Sequence, residues 1–434
     1  MYLCTALQSG LFTNMHVFKF GGASVSNFEK IKNLATIIAE QPAQPIAIVV
    51  SAMGKTTNAL EKVAEAFYAG KKEEALELFR AIKLQHLDEA KFLLVTNFNA
   101  VMDQFNNFFT EVEWLLHDKP VRDFDYYYDQ IVCVGELLST TLVAAWLNES
   151  GQAAAWIDIR DVFRTDDNFR DARINWQVTA EQVQQHLAPL FKTTNLVVTQ
   201  GFIGCTDENE STTLGREGSD YSAAVLANLL NAESLSIWKD VPGIMNADPK
   251  QFADAQYIPE LNYEEVIEMA YYGAQVIHPK TIKPLQNKNI PLLVKCFTDA
   301  SLPGTRIHNQ AVKQLPPIIV KKQNQVLLQF NTHDFSFVGE DPISRLYEMM
   351  AQLKIRPNLL QVQAVQLQLC LDNRDEKIEQ LALHASAIFD VQVQKGFTLL
   401  SIRHYQPNQA AALTAGASIV LQQQSAHTVQ VLYR

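Results

Sequence analysis

The run Ile46-Ala47-Ile48-Val49-Val50 constrains this chain more than any other feature, because it has no polar position to turn toward water. A strand that alternates apolar and polar residues can leave one face in solvent. A strand apolar on both faces must be covered on both, as in a mostly parallel sheet held between helical layers. Strands followed by polar loops are also predicted at 17–20, 195–199 and 234–238, and helical stretches over 27–40, from near Asn58, and over 220–231. Such alternation across the first two-thirds predicts an α/β fold built on a three-layer, mostly parallel sheet. Ligands of these sheets lie beyond the carboxyl ends of the strands, so the loops leaving those ends are where chemistry is sought.

Composition shifts near Pro303-Gly304 and again at Pro316-Pro317, after which the chain is rich in glutamine and its elements are shorter. Strands are predicted at 326–330, 359–364, 365–371, 391–394 and 398–403, with helices at 343–353 and 376–387. A short helix near Gln409 and two C-terminal strands complete the series. The β-α-β-β-α-β order predicts ferredoxin-like units. Two are expected, the second incomplete, with strands from both ends of the region shared between them.

The 434 residues, 47% hydrophobic and 19% charged, fall in the ordinary globular range and are too many for one core. A net charge of -11 argues against a general binder of nucleic acid or anionic membrane, yet leaves room for a local basic pocket. Cys4, Cys133, Cys205, Cys296 and Cys370 are scattered, with no C-x-x-C pair, and read as reduced thiols without zinc. The N-terminus has no basic region of the kind that opens a signal peptide, and no uncharged apolar run approaches the ~18 residues of a membrane span. A cytoplasmic protein is expected.

Four loops and one helix could carry chemistry. After the first strand, Lys19-Phe20-Gly21-Gly22 offers backbone N–H groups, an ammonium and a following helix start to an anion. It could equally be a strand-to-helix turn with a solvated lysine. Ser51-Ala52-Met53-Gly54-Lys55-Thr56-Thr57-Asn58 is a second oxyanion-friendly tip, with Thr57 or Asn58 as the expected N-cap. In the third, Thr212 to Tyr221, Arg216 can hold a carboxylate bidentately, while Ser219 and Asp220 open a helix as caps or as phosphate-site groups. The fourth, Trp238 to Lys250, contains Lys239 and Asp240 and is either a nucleotide-pocket wall or a turn. Glu136 is a charge within an apolar helix running to Leu147, so it is either ion-paired or poised for a substrate ammonium. His278 reads as a helix cap. No histidine cluster suggests a metal site.

In this order, KFGGASV at 19–25, VGELLST at 134–140, TTLGREGSDY at 212–221, WKDVPGIMNADPK at 238–250 and YGAQVIHPKT at 272–281 resemble aspartate kinases of the amino-acid kinase superfamily. The resemblance runs from about Val17 to Arg434. It implies an N-terminal extension at 1–14, an amino-acid kinase catalytic domain at 15–310, and paired C-terminal ferredoxin-like ACT domains at 311–434. The family phosphorylates the side-chain carboxylate of L-aspartate with ATP and Mg²⁺, giving 4-phospho-L-aspartate at the head of lysine, threonine and methionine synthesis. By motif, Lys19, Gly21 and Gly22 would hold the transferring phosphoryl group, and Asp220 would orient the lysine and the metal-bound phosphates. Glu136 would take the substrate ammonium and Arg216 its α-carboxylate, with Ser51, Thr57 and Ser219 on the substrate side. Lys239, Asp240, Met245, Lys250, Gln275 and Val276 would lie along the nucleotide.

Three departures stand out. Glu217 occupies a place where many relatives have glycine, Gln275 one where many have lysine, and Met245 one where an aromatic is common. Lys239, where many relatives carry threonine, is expected to supply the charge missing at Gln275. The resemblance further implies a homodimer, and lysine or threonine as effector at 334–358, where no glycine is read before the helix. The end at Arg434 leads us to expect no fused homoserine dehydrogenase. The competing readings are a sister kinase for glutamate, acetylglutamate, carbamate or UMP, and an amino-acid sensor that keeps the fold without turnover.

Overall fold

Ile46–Val50 is buried at every position, as a strand without a polar face requires. In the computed structural model, which describes residues 14–274, 276–334 and 336–434, this strand lies inside an eight-stranded sheet. The sheet order is Glu260–Asn262, Thr305–His308, Leu292–Cys296, Ser234–Lys239, His16–Phe20, Ile46–Val50, Leu196–Gln200, Ala154–Trp156. Its strands pair in parallel except where Leu292–Cys296 meets Thr305–His308.

Register decides where the chemistry can sit. Phe20 pairs with Val50 on one side and Trp238 on the other, and Val50 pairs with Gln200. Four strands therefore end level, and the residues at those ends, Lys19, Ser51, Gly201 and Lys239, share one rim. The helices covering the sheet follow from local sequence. Phe28–Ala39 starts where the Asn27 side chain accepts from the Lys30 N–H at 3.0 Å. Val134–Glu149 and Gly218–Leu229 are buried almost all round, as helices packed between layers must be. Lys72–Leu93 and Phe98–His117 form a pair of long helices that the sequence reading did not single out. The first buries Ala75, Phe79, Ile82, His86, Ala90 and Leu93, a stripe at helical spacing.

Several sequence expectations need correction. The second helix begins at Thr56 with Lys55 at its N-cap, so Thr57 and Asn58 are inside it and cap nothing. The Lys19 loop leads first into a short 3-10 turn at Gly22–Val25, which the sequence reading did not foresee, and the expected helix follows at Phe28–Ala39 with Asn27 as its cap. The stretch Phe124–Glu149 is long and apolar enough by composition to cross a membrane, although Asp125, Asp129 and Glu136 interrupt it, and 83% of its most apolar window is buried in the protein.

The chain divides into two compact units, and all of the above belongs to the first, which comprises residues up to Ile244, Pro259–Ile267 and Ile277–Val312. The second comprises Met245–Ile258, Glu268–Val276 and Lys313–Arg434. Its sheet has six strands in the order Leu359–Val362, Gln366–Asp372, Ile318–Thr332, Phe389–Arg403, Thr428–Tyr433, Ile419–Gln424, all antiparallel. The two central strands are each 15 residues long and pair along their whole length, with a register shift between Lys322 and Val326. The strands expected separately at 391–394 and 398–403 are thus one strand that passes through Gly396 at a φ of 85°. Val326, Leu328 and Phe330 face a core that includes Leu346 and Leu381 of the helices Glu340–Gln352 and Asp375–Ala385. Leu327 points the other way and packs with Leu359, Phe397 and Leu432. The first of these helices starts three residues before the expected 343, and Gly339 is its N-cap, so a glycine does precede it. Glu268 of the Tyr263–Tyr272 helix pairs with Arg403 at 2.8 Å.

Candidate active site

The level strand ends line a cleft of about 580 Å³. At its base Lys19 Nζ lies 2.7 Å from Asp220 Oδ1, with the side chains 11% and 5% exposed. Lys239 Nζ approaches the other oxygen at 4.0 Å. Burial alone would push Asp220 upward, but the Lys19 and Lys239 ammoniums outweigh it and hold the carboxyl below its usual range. Gly21 leaves room for the ammonium, since a Cβ there would stand 3.4 Å from Lys19 Nζ. Gly22 is needed for a different reason than anion access. A Cβ there would come within 2.7 Å of Ala52 O and 2.9 Å of Gly54 O, so this glycine lets two loops meet.

Glu136 enters from the Val134–Glu149 helix, which Gly135 allows to lie against the second loop; a Cβ on Gly135 would sit 3.0 Å from Ala52 Cβ. The Ala52 N–H donates to Glu136 Oε1 at 3.1 Å and the Ser139 hydroxyl donates to Ser51 O at 2.8 Å. Glu136 Oε2 is buried with no hydrogen-bond partner among the described residues. Burial pushes the Glu136 carboxyl up to about 8, against the Ala52 N–H and the charge of Lys19. A buried, half-satisfied carboxylate at the wall of a cleft is an unfilled receptor for a cation.

Arg216 stands on the turn Gly215 to Gly218, exposed at the cleft. Gly215 has a φ of 73° and Glu217 a φ of 54°, both in the left-handed region. Glu217 Oε2 accepts from the His278 N–H at 3.0 Å. His278 is a helix cap, accepting from the Lys280 N–H at 3.1 Å. Ser219 and Asp220 lie in the first turn of Gly218–Leu229, and Gly201 packs against Ser219 so closely that a Cβ would meet its Cβ at 2.6 Å.

Of the residues expected from sequence, Lys19, Gly21, Gly22, Ser51, Thr57, Glu136, Arg216, Ser219, Asp220, Lys239 and Asp240 all line this cleft. Met245, Lys250 and Val276 fall in the second unit and are not among its lining. Gln275 lies outside the described residues, as does Cys4, so the compensation of Gln275 by Lys239 rests on sequence alone. The cleft also contains Tyr128, Arg170 and Phe202, which the sequence reading missed, and Thr213, which it placed in the third loop without a role. Phe202 lies two residues beyond the buried strand Leu196–Gln200, in a loop at the carboxyl end of the sheet where ligand groups are sought. Thr213 and Arg170 are held from behind by Asp129, whose carboxylate accepts from Thr213 N–H at 2.8 Å, Thr213 Oγ1 at 2.7 Å and Arg170 N–H at 3.0 Å. Burial still pushes Asp129 up to about 7.

Comparison with known proteins agrees with this geometry. The sequence profile of the amino acid kinase family matches residues 14–296. Lysine-sensitive aspartokinase 3 of Escherichia coli (strain K12) is 32% identical over 400 residues, covering 89% of this chain and 86% of that protein. Chloroplastic aspartokinase 2 of Arabidopsis thaliana is 32% identical across 82% of this chain, which spans 66% of the plant protein. The crystal structure of E. coli aspartokinase III in complex with aspartate and ADP, in the R-state, matches with a TM-score of 0.81 at 29% identity, covering 97% of this chain and 96% of that one. The same enzyme with lysine and aspartate, in the T-state, matches at 0.80 with the same identity and coverage. The chain belongs to the amino acid kinase family. Within that family, both of these sequence relatives are aspartokinases.

Proposed function

We propose that the chain is an aspartate kinase, transferring the γ-phosphoryl group of ATP to the side-chain carboxylate of L-aspartate and so forming 4-phospho-L-aspartate, the entry to lysine, threonine and methionine synthesis. The observation that carries this reading is the pairing of opposite receptors in one cleft: Glu136 Oε2 and Arg216, neither with a partner among the described residues, beside the buried Lys19–Asp220 pair. An α-amino acid presents an ammonium and a carboxylate, which these two groups complement. Ser51, Thr57 and Ser219 would line its path. The aspartate side chain, with a reference pKa of ~3.9, is already ionised at neutral pH, so no general base is needed. What must be overcome is repulsion between an anionic nucleophile and a polyanionic donor. Lys19, steered by Asp220, and the backbone at Gly21 and Gly22 would take the transferring phosphoryl group, with Lys239 and Asp240 along the nucleotide. Met245, Lys250, Gln275 and Val276 are kept as nucleotide-side residues on the family motif alone.

Among the described residues no cluster of three His, Cys, Asp or Glu could hold a metal unaided. Mg²⁺ keeps its waters and is held chiefly by substrate phosphates, so it would need only a carboxylate of the cleft, such as Asp220, to orient it. When bound, Mg²⁺ would neutralise phosphate charge. A homodimer with lysine as effector extends the reading, since the E. coli relative is lysine-sensitive. The described cysteines, Cys133, Cys205, Cys296 and Cys370, are free and buried, which fits the reducing cytoplasm.

The test is ATP turnover with L-aspartate, with the acyl phosphate trapped by hydroxylamine. Glutamate, acetylglutamate, carbamate and UMP serve as competing acceptors. Lys19→Met should lower kcat on the order of 10²- to 10³-fold, by loss of an oriented charge at the transferring group, with a melting curve confirming that the variant folds. Unimpaired turnover by that variant would end the reading, and an inactive wild-type protein that binds lysine would point to the sensor.

A further inference from the structure

We propose that Glu217 is a positioning residue for the substrate arginine: its carboxylate ties the Gly215-to-Gly218 turn to the start of the Pro279–Gln286 helix and holds Arg216 at the cleft. This rests on Arg216 being the ligand of the aspartate α-carboxylate.

The backbone makes the first argument. Glu217 has a φ of 54° and a ψ of 29°, a left-handed conformation that a residue with a Cβ adopts at a cost and glycine adopts freely. A glutamate kept there needs something from its side chain in return. That return is the bond its Oε2 accepts from the His278 N–H at 3.0 Å. The partner is well chosen, because His278 caps the helix and its N–H lies at the positive end of the peptide dipoles.

The second argument is that the turn is gripped at both ends from the same helix start. Lys280 Nζ donates to Leu214 O at 2.9 Å, pairs with Asp171 at 3.3 Å, and lies over the Tyr221 ring at 4.9 Å. Asp171 in turn closes on Gly215, where a Cβ would meet its Oδ1 at 2.7 Å. Leu214 and Glu217 are thus fixed on either side of Arg216. Arg216 itself is exposed and makes no ion pair among the described residues, so its direction is set by the turn beneath it. The bond to His278 has one more effect. A free glutamate beside Arg216 would compete with the substrate for the guanidinium, and engagement with the helix start removes that competitor.

Three variants separate this role from a merely structural one. Glu217→Ala keeps a Cβ in the left-handed region and loses the bond. It should raise KM for aspartate about five- to tenfold, with kcat and KM for ATP nearly unchanged, because a ligand of the substrate's non-reacting end binds ground and transition states alike. Glu217→Gln keeps an acceptor oxygen and should bring that KM back to within about twofold of wild type. Glu217→Gly loses the bond but relieves the backbone, so it should melt at or above the wild-type temperature and still show the raised KM. An active wild type whose Glu217→Ala variant keeps its KM overturns this inference alone, as does a Glu217→Gly variant with normal KM. A wild type that turns over no aspartate removes the substrate reading and this inference together.

Discussion

Glu136 sets burial against charge. Its carboxyl is raised from 4.5 to about 8, chiefly by desolvation, so in the substrate-free protein it holds its proton to higher pH than an exposed glutamate does. Asp220, equally enclosed, stays ionised because two ammoniums face it. The sign for stability follows from proton binding: between the unfolded and folded values the native state holds the extra proton. The contribution is therefore fully present below about 4.5 and is lost as pH rises through about 8. Glu136→Gln removes that dependence. Its melting temperature should fall less than wild type's between pH 6 and pH 9, approximately the window around the raised value, while aspartate no longer saturates it. Asp129, raised to about 7, adds a slope of the same sign, so the variant's curve flattens only in part. Identical curves for the two proteins would show that Glu136 is ionised before substrate arrives.

At the scale of elements, the site depends on loops that touch. Gly22 stands against the carbonyls of Ala52 and Gly54, and the Gly54 N–H donates to Gly22 O at 3.0 Å. These are backbone atoms with no rotamer to yield, so Gly22→Ala should destabilise by about 1–3 kcal/mol in urea unfolding and lower kcat/KM for both substrates. A variant as stable and active as wild type would show that the loops part without cost. The elements also show what can be read from a sequence and what cannot. Ile46–Val50 was legible to the residue, because a fully apolar pentad between turn signals has one home. The N-cap at the second loop was misread, because the chain turns earlier, with the Thr56 hydroxyl donating to Met53 O at 2.6 Å. The helices Lys72–Leu93 and Phe98–His117 escaped because their buried stripes are diluted by polar faces and adjoin no motif. Arg170 and Asp129 escaped for another reason. They reach the cleft through contacts 41 and 84 residues apart, which no local pattern encodes.

On the scale of the whole molecule, activity should respond to lysine if the likeness to the lysine-sensitive E. coli enzyme extends to regulation. Turnover measured at subsaturating aspartate should fall as lysine rises to millimolar concentration and stay level with threonine; a flat response to both would remove lysine as effector. In the second unit the ferredoxin-like halves are less separate than their repeated order suggests. Ile318–Thr332 and Phe389–Arg403 run through both and pair from end to end. A strain introduced at one end travels along covalent backbone and its ladder of hydrogen bonds, and the one break in that ladder, the register shift between Lys322 and Val326 near Gly396, is where the two halves can flex against each other.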